Sequence, residues 1–523
     1  MIRATIFLFA AAALLARAPA GPQPQMNRVR ADLKYLTSEK LAGRVSLAPQ
    51  ADMAAHYIAD QFEKAGLKPG NGKSYLQPFR MIAYTPDIGS QMLVVTREGV
   101  TRHITPPSFS GRFYRNVDVR GEVVFAGYGI SAPEYGYDDY TGTNVKGKIV
   151  VIFDHEPQED DPKSIFHGTG HTLHAGRWMK VEDARRHGAV AVLIGPDSLH
   201  HQQERPNPKR PPLRAGAPPQ SLDDPGQIPV FSISQATMAD LVEPLHISPI
   251  DLERSIDAKL KPASALLADT KLEIRSRNKE HHRGTSLNVA GLWEGSDPTL
   301  KTETVMLTAH YDHLGIQNGH LYPGANDNAS GTVAVMELAR LFAESGVHPK
   351  RSILFVVFGS EEQLMMGSFY YTFHPLRPLA TTRAVLNLDM IGRNEAHIQQ
   401  DEGGLQIPAD TSNLINLVGS FYSPGLRSDL FAANRGVGLV LDTKYDADHT
   451  LNALFRCDHL PFLIAHVPAV WLFAGFHPGY HEPSDTMDLL NYPKIAKVIS
   501  LAYDTATMIA NTETPPRFDV AGE

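Results

Sequence analysis

The hydrophobic pattern changes its period along the chain. From Asn27 to Gly66 apolar residues fall at helical spacing, Leu33, Leu36 and Leu41 first, then Met53, Tyr57, Ile58, Phe62 and Leu67. Residues 112–270 differ: short β-rich runs (GEVVFAGYGI, GKIVVIF, GAVAVLIG, IPVFSIS) alternate with turn residues. One helical stretch, Trp178 to His187, lies among them, and nine prolines between Pro196 and Pro229 predict a long loop. From about Ser286 strands and helices alternate. VMLTAH (305–310), ILFVVF (353–358), AVLNLDM (384–390) and AVWLFA (469–474) are continuous apolar runs of strand length. Runs without polar alternation predict strands covered on both faces, as in an α/β sheet with crossover helices. Ser330 to Glu344 predicts a helix whose apolar face holds Val333, Met336, Leu338, Leu341 and Phe342. The two flanking parts fit one α/β domain into which the β-rich section is inserted.

The first 20 residues place Arg3 ahead of an apolar stretch from Ala4 to Ala16 and end on Ala18-Pro19-Ala20. That is the layout of an export signal with a small-residue cleavage site. The expected protein is therefore exported, to the periplasm or the medium. No later run approaches 18 apolar residues, so no membrane span is expected in the mature chain. Composition is that of an ordinary globular chain: 42% hydrophobic and 20% charged among 523 residues. The net charge is 49 − 57 = −8, which gives no basic footprint for a nucleic-acid partner. Twenty-three His stand against a single Cys. An internal disulfide and a thiolate metal cluster are both excluded, so a metal site has to use imidazoles and carboxylates.

Such residues stand at the strand ends. His310 and Asp312 follow VMLT, Glu361 and Glu362 follow ILFVVF, and Asp389 follows AVLNL. His481 lies in a short loop after AVWLFA, and Asp327 lies in GANDNASG, where the predicted helix opens. In open α/β sheets ligands bind beyond the carboxyl ends of the strands, so these groups can converge on one crevice. Neutral imidazoles with carboxylates suit zinc, with cobalt or manganese as weaker alternatives. One zinc needs only three protein ligands and a water. Five or six donors therefore point to two metals with a shared carboxylate, and a carboxylate left outside can serve as general base.

The stretches TAHYDHLG, GANDNASG, SEEQLMMGS, LNLDMIGR and YHEPSDT resemble, in order and spacing, the metal motifs of a zinc exopeptidase family. Its members include bacterial leucyl aminopeptidases, glutamate carboxypeptidase and the transferrin receptor. The resemblance implies a mixed, largely parallel sheet flanked by helices. It implies two zinc ions, with His310 and Asp389 on one, Glu362 and His481 on the other, and Asp327 bridging them. Glu361 would be the general base, and Tyr480 would help stabilise the oxyanion. Asp312 and Asp485 would orient the His ligands. The β-rich section, through GEVVFAGYGISAPEYGYDDYTGTNVKGKIVVIF and GRWMKVEDARRHGAVAVLIG, resembles a protease-associated domain. The expected organisation is a signal peptide at 1–20, peptidase domain at 21–111 and 275–515, and an insert at 112–274.

The sequence departs from the family pattern at two places near the site. Leu364 stands where a Gly commonly follows Glu-Glu-Gln, and Glu482 replaces a small hydroxyl residue. No counterpart of the large helical dimerisation domain of the carboxypeptidase and receptor branch is expected, which favours the aminopeptidase branch. The expectation is an aminopeptidase that removes N-terminal residues from peptides through a metal-bridging water. The alternatives are a carboxypeptidase, which would need basic groups such as Arg393, Arg427, Arg435 or Arg456, then a glutaminyl cyclase with one zinc. A receptor without catalysis is disfavoured because every ligand position and the base are present. Oligomeric state is open. In HGTGHTLH, the glycines argue against His167, His171 and His174 sharing a helical face, so no metal role is expected there. Cys457 reads as a small packed residue, and Asp458 and His459 as structural or supporting groups.

Overall fold

The computed structural model describes residues 22–200, 219–224, 226–401, 405–448 and 451–520. The signal segment 1–20 and most of the proline-rich loop expected after Pro196 lie outside the described residues.

Four parallel strands form the centre of a mixed α/β sheet, in the order Ala469–Phe473, Thr382–Leu388, Thr304–His310, Ser352–Phe358. They are the four apolar runs of the sequence. Their alternate residues point to opposite faces, and both faces are covered. Val305, Leu307, Ile353 and Phe355 pack under the helices Gly331–Ser345 and Tyr492–Asn511, together with Leu33, Ile58 and Phe62 of the two N-terminal helices. Met306, Leu354, Val356 and Phe358 face the other way, against Phe369, Leu460 and Phe462. Two buried faces explain why these strands carry no polar alternation. The N-terminal helical pattern becomes Met26–Leu36 and Pro49–Lys64.

At the N-terminal ends of the central strands one carboxylate ties three of them together. Glu303, just before Thr304–His310, pairs with Arg351 at 2.6 Å and with Arg383. Those arginines stand at the starts of the two flanking strands.

The insert builds its own parallel set, Val117–Phe125, Ile149–Phe153, Ala191–Gly195 and Val230–Ile233. Val123, Val151, Leu193 and Phe231 form its core with Leu241 and Ile256. The expected helix is present as Arg177–Arg186.

Two long antiparallel strands, Leu76–Arg97 and Ala265–Trp293, were not legible in the sequence. The second pairs with Ser352–Phe358 at Val289↔Val357 and with Val117–Phe125 at Ser276↔Val117, so both β regions belong to one sheet. Its middle, Lys279 to Arg283, is exposed. A strand whose centre is solvated on both faces has no apolar periodicity to betray it. The insert also packs on the open face of the main sheet: Leu173 and Met179 join its core, and Trp178 lies against Phe369 with ring centroids 4.4 Å apart.

Candidate functional site

The four central strands deliver their C-terminal residues to one buried crevice, where parallel α/β sheets bind ligands. His310 ends its strand, and Asp389 directly follows Leu388. After Phe358 the chain turns through Gly359 and Ser360 into Glu361 and Glu362, and the loop after Phe473 carries Tyr480 and His481. Asp327 comes from the irregular turn Ala325–Ser330 that leads into the helix Gly331–Ser345. The regular helix thus starts one residue later than the sequence suggests, and the turn ahead of it presents the acid. Gly324 and Gly331 bound that turn. A Cβ on Gly331 would lie 2.0 Å from the Leu388 carbonyl oxygen, so the turn can sit against the Asp389 strand only with glycine there.

Asp327 lies between two groups of donors. Its Oδ1 is 3.4 Å from His310 Nε2, which is also 3.4 Å from Asp389 Oδ2. Its Oδ2 is 3.0 Å from His481 Nε2, which is 3.4 Å from Glu362 Oε2. The sequence reading missed His313, whose Nδ1 is 2.7 Å from Glu362 Oε1 and 3.9 Å from Asp327 Oδ2. The signal was present, three residues after His310 in TAHYDHLG. Ligand atoms of His310, Asp327 and Asp389 lie within 4.8 Å of one another, as do those of His313, Asp327 and Glu362. Each trio could hold a divalent ion.

A test of that fit lies in the buried polar atoms. His310 Nε2, His313 Nε2 and Asp389 Oδ1 are buried without a hydrogen-bond partner. Buried polar atoms in native proteins are almost always satisfied. Three such atoms lining one crevice, all imidazole or carboxylate, fit a cation.

Glu361 is buried with Oε2 3.8 Å from His310 Nε2, outside the closer contacts. Burial lifts its carboxyl well above the usual range; His310 opposes this, while Asp458, Glu362 and Asp389 add to it. For Asp327, burial and the Glu362 charge act upward, but the facing His310 and His481 imidazoles prevail and hold it low.

The supporting acids hold the backbone of the site. Asp312 Oδ1 accepts the Glu361 backbone N–H at 2.9 Å, and Oδ2 accepts that of Glu362 at 3.3 Å. The nearer partner of His310 Nδ1 is the Asp312 backbone oxygen at 3.2 Å, not its carboxylate at 3.7 Å. Asp485 Oδ2 accepts the N–H groups of Asn326 and Asp327 at 2.9 and 3.0 Å. Both carboxylates therefore fix ligand-bearing turns through the backbone, since those turns leave N–H groups that regular structure does not satisfy.

Other contributors come from distant segments. The wholly buried guanidinium of Arg44 donates to carbonyls of Leu36, Tyr311, Pro323 and Gly324. Cys457 is more than a packed residue: its Sγ is 2.8 Å from Asp389 Oδ2. Tyr480 stacks on the His481 ring at 3.7 Å between centroids. Leu364 keeps the turn expected of glycine by adopting φ +69°. Of the four arginines, Arg393 lies by the crevice, 3.8 Å from Asp485, and Arg456 stacks over Phe476.

Residues 288–506 match the model of peptidase family M28, and residues 119–241 match the PA domain. Leupeptin-inactivating enzyme 1 of Streptomyces exfoliatus is 27% identical over 254 residues, covering 44% of this chain and 50% of that protein. Aminopeptidase YwaD of Bacillus subtilis is 36% identical over 109 residues, covering 21% and 22%. The chain thus spans half or less of the length of these curated relatives. An aminopeptidase from Aneurinibacillus sp. strain AM-1 has a similar structure, with TM-score 0.48, 20% identity and 96% of each chain covered.

Proposed function

We propose, from the match of residues 288–506 to peptidase family M28 and of residues 119–241 to the PA domain, an exported di-zinc aminopeptidase acting on peptides. The observation that carries the reading is the convergence of His310, Asp327, Glu362, Asp389 and His481 on one crevice, where His310 Nε2 and Asp389 Oδ1 are buried without hydrogen-bond partners.

In this reading His310 and Asp389 hold one ion, Glu362 and His481 the other, and Asp327 is shared, with His313 beside the second position. The donor set suits zinc, with cobalt or manganese as substitutes. When bound, such ions would supply Lewis-acid polarisation of the scissile carbonyl and make a nearby water more acidic. Glu361 Oε2 would accept the proton of that water as its oxygen attacks the carbonyl carbon. It then passes the proton to the leaving nitrogen as the C–N bond breaks. Asp312 is a positioning residue that keeps Glu361 and Glu362 aimed inward. Tyr480 would donate to the oxygen that gains charge. Export rests on the leader at residues 1–20; among the described residues no helix is long and apolar enough to cross a membrane.

The test is metal content of the mature protein combined with hydrolysis of amino-acid p-nitroanilides before and after chelation. Zinc at both peptidase positions, with chelator-sensitive release from free but not N-blocked substrates, supports the proposal. Release of acidic C-terminal residues instead would make Arg393 a substrate contact and the enzyme a carboxypeptidase. Zinc at one position and cyclisation of N-terminal glutamine would make it a glutaminyl cyclase.

A further inference from the structure

The His-rich segment of the insert, HGTGHTLH, divides in the structure. His167 stacks on Phe421, and His174 pairs with Glu134 at 2.7 Å. His171 turns instead toward two residues from just beyond the strand Ile149–Phe153. Its Nε2 is 2.8 Å from Glu159 Oε1, and His155 Nδ1 is 3.1 Å from Glu159 Oε2. The three ligand atoms lie within 4.8 Å of one another. Glu159 and His171 are buried, and the His155 side chain is 17% exposed, leaving one side open to solvent.

We propose that His155, Glu159 and His171 form a further divalent-metal site, of the zinc class, in the PA domain. Two imidazoles and a carboxylate make the donor set of a three-ligand zinc site. The donor spacings of 2.8 and 3.1 Å fall within the 2.7–3.9 Å found among the facing imidazoles and carboxylates of the peptidase crevice. The second nitrogen of His171 is also held, with Nδ1 2.6 Å from Asn452 Oδ1. An N–H donated to that oxygen fixes the tautomer that turns the Nε2 lone pair toward a metal.

A neighbouring trio, Glu159, Asp197 and His200, satisfies the same distance limit. It offers one imidazole rather than two, and both ring nitrogens of that imidazole, on His200, face carboxylates, Asp197 at 2.7 Å and Asp257 at 2.8 Å.

The site would also join two domains. Asn452 and Phe455, which approach His171, belong to the peptidase part of the chain. A metal on His171 would brace the 155–171 loop of the insert against the segment beside the crevice.

Crystals of the full-length protein, stripped and reloaded with zinc, would be measured at the zinc absorption edge. An anomalous peak among His155, Glu159 and His171 is expected; no peak there overturns the proposal whatever the peptidase crevice holds. A peak here with an empty crevice would sustain this site and overturn the di-zinc reading. In solution, soluble His155→Phe and His171→Gln variants should each bind one zinc equivalent fewer than the wild type. An unchanged count in either variant overturns the proposal.

Discussion

Asp312 and Glu361 are joined through the backbone: the Asp312 carboxylate accepts the Glu361 amide at 2.9 Å. Its other oxygen takes the next amide and the Ser46 hydroxyl at 3.1 Å. The acid between the two histidines of TAHYDHLG thereby sets the direction of the Glu-Glu turn. Asp312→Ala would leave both amides buried without acceptors, at a cost of about 1–3 kcal/mol each before relaxation. The expected result is a fall in kcat of at least 10-fold with KM nearly unchanged, since the base is misaimed. Equal kcat in the folded variant would show that the turn holds itself.

Glu361 stands apart from the closer imidazole–carboxylate contacts, so Glu361→Gln should leave metal content nearly intact. Turnover should drop by roughly 100- to 10,000-fold, the range for loss of a general base. Asp327→Asn, by contrast, should reduce both metal content and turnover. Steady-state kinetics with elemental analysis separates the two patterns; near-normal activity of Glu361→Gln would remove the residue from the mechanism.

Leu364 occupies a left-handed conformation at φ +69° and is 65% exposed. That conformation costs an L-residue about 1–2 kcal/mol, and glycine escapes it at a smaller cost in chain entropy. Leu364→Gly should therefore stabilise the protein by about 1 kcal/mol in denaturant unfolding without loss of activity. Destabilisation would mean that the leucine side chain makes contacts that outweigh the backbone strain.

Arg44 carries a buried charge to four carbonyls around the metal-bearing turns. Burial brings its pKa down to about 10, against the pull of Asp312, Asp327, Asp485 and Glu362. Arg44→Met should lower stability by about 3 kcal/mol, through carbonyls left buried and unpaired. It should also weaken metal retention, because the Tyr311 and Gly324 carbonyls lose their anchor. A variant as stable as the wild type would show that water replaces the guanidinium.

Glu303 gives a prediction in acid. The Arg383 hydrogen bond is the main force lowering its pKa, to about 2; burial opposes it and Arg351 adds to it. A carboxylate depressed in the folded state stabilises fully above its unfolded value, near 4.5, and loses that contribution as pH falls toward 2. Wild-type stability should fall across this window, and Glu303→Gln should flatten the fall while lowering stability at neutral pH. Unfolding curves at pH 6, 4 and 2.5 would test it, and parallel curves for both proteins would count against the clamp.

Local pattern carried much of this protein. The four central strands are apolar on both faces, so their runs could be read directly, and their polar residues had to lie at the ends. His310, Asp327, Glu361, Glu362, Asp389 and His481 were visible as candidates for that reason. Their pairing was not, because it depends on which strands are neighbours and on turns such as Ala325–Ser330 that no periodicity describes. His313 sat in plain view, yet only the folded turn aims it at Glu362. Asp312 and Asp485 looked like partners of imidazoles, but the tertiary structure gave them backbone amides, since those turns leave N–H groups that must be satisfied. The long strand Ala265–Trp293 stayed hidden because its solvated middle has no hydrophobic alternation. His155, Glu159 and His171 show the same limit: local sequence around His171 offered no shared face, and contact came only when distant loops folded together. Burial period is written in neighbouring residues, whereas convergence of donors is a property of the packed chain.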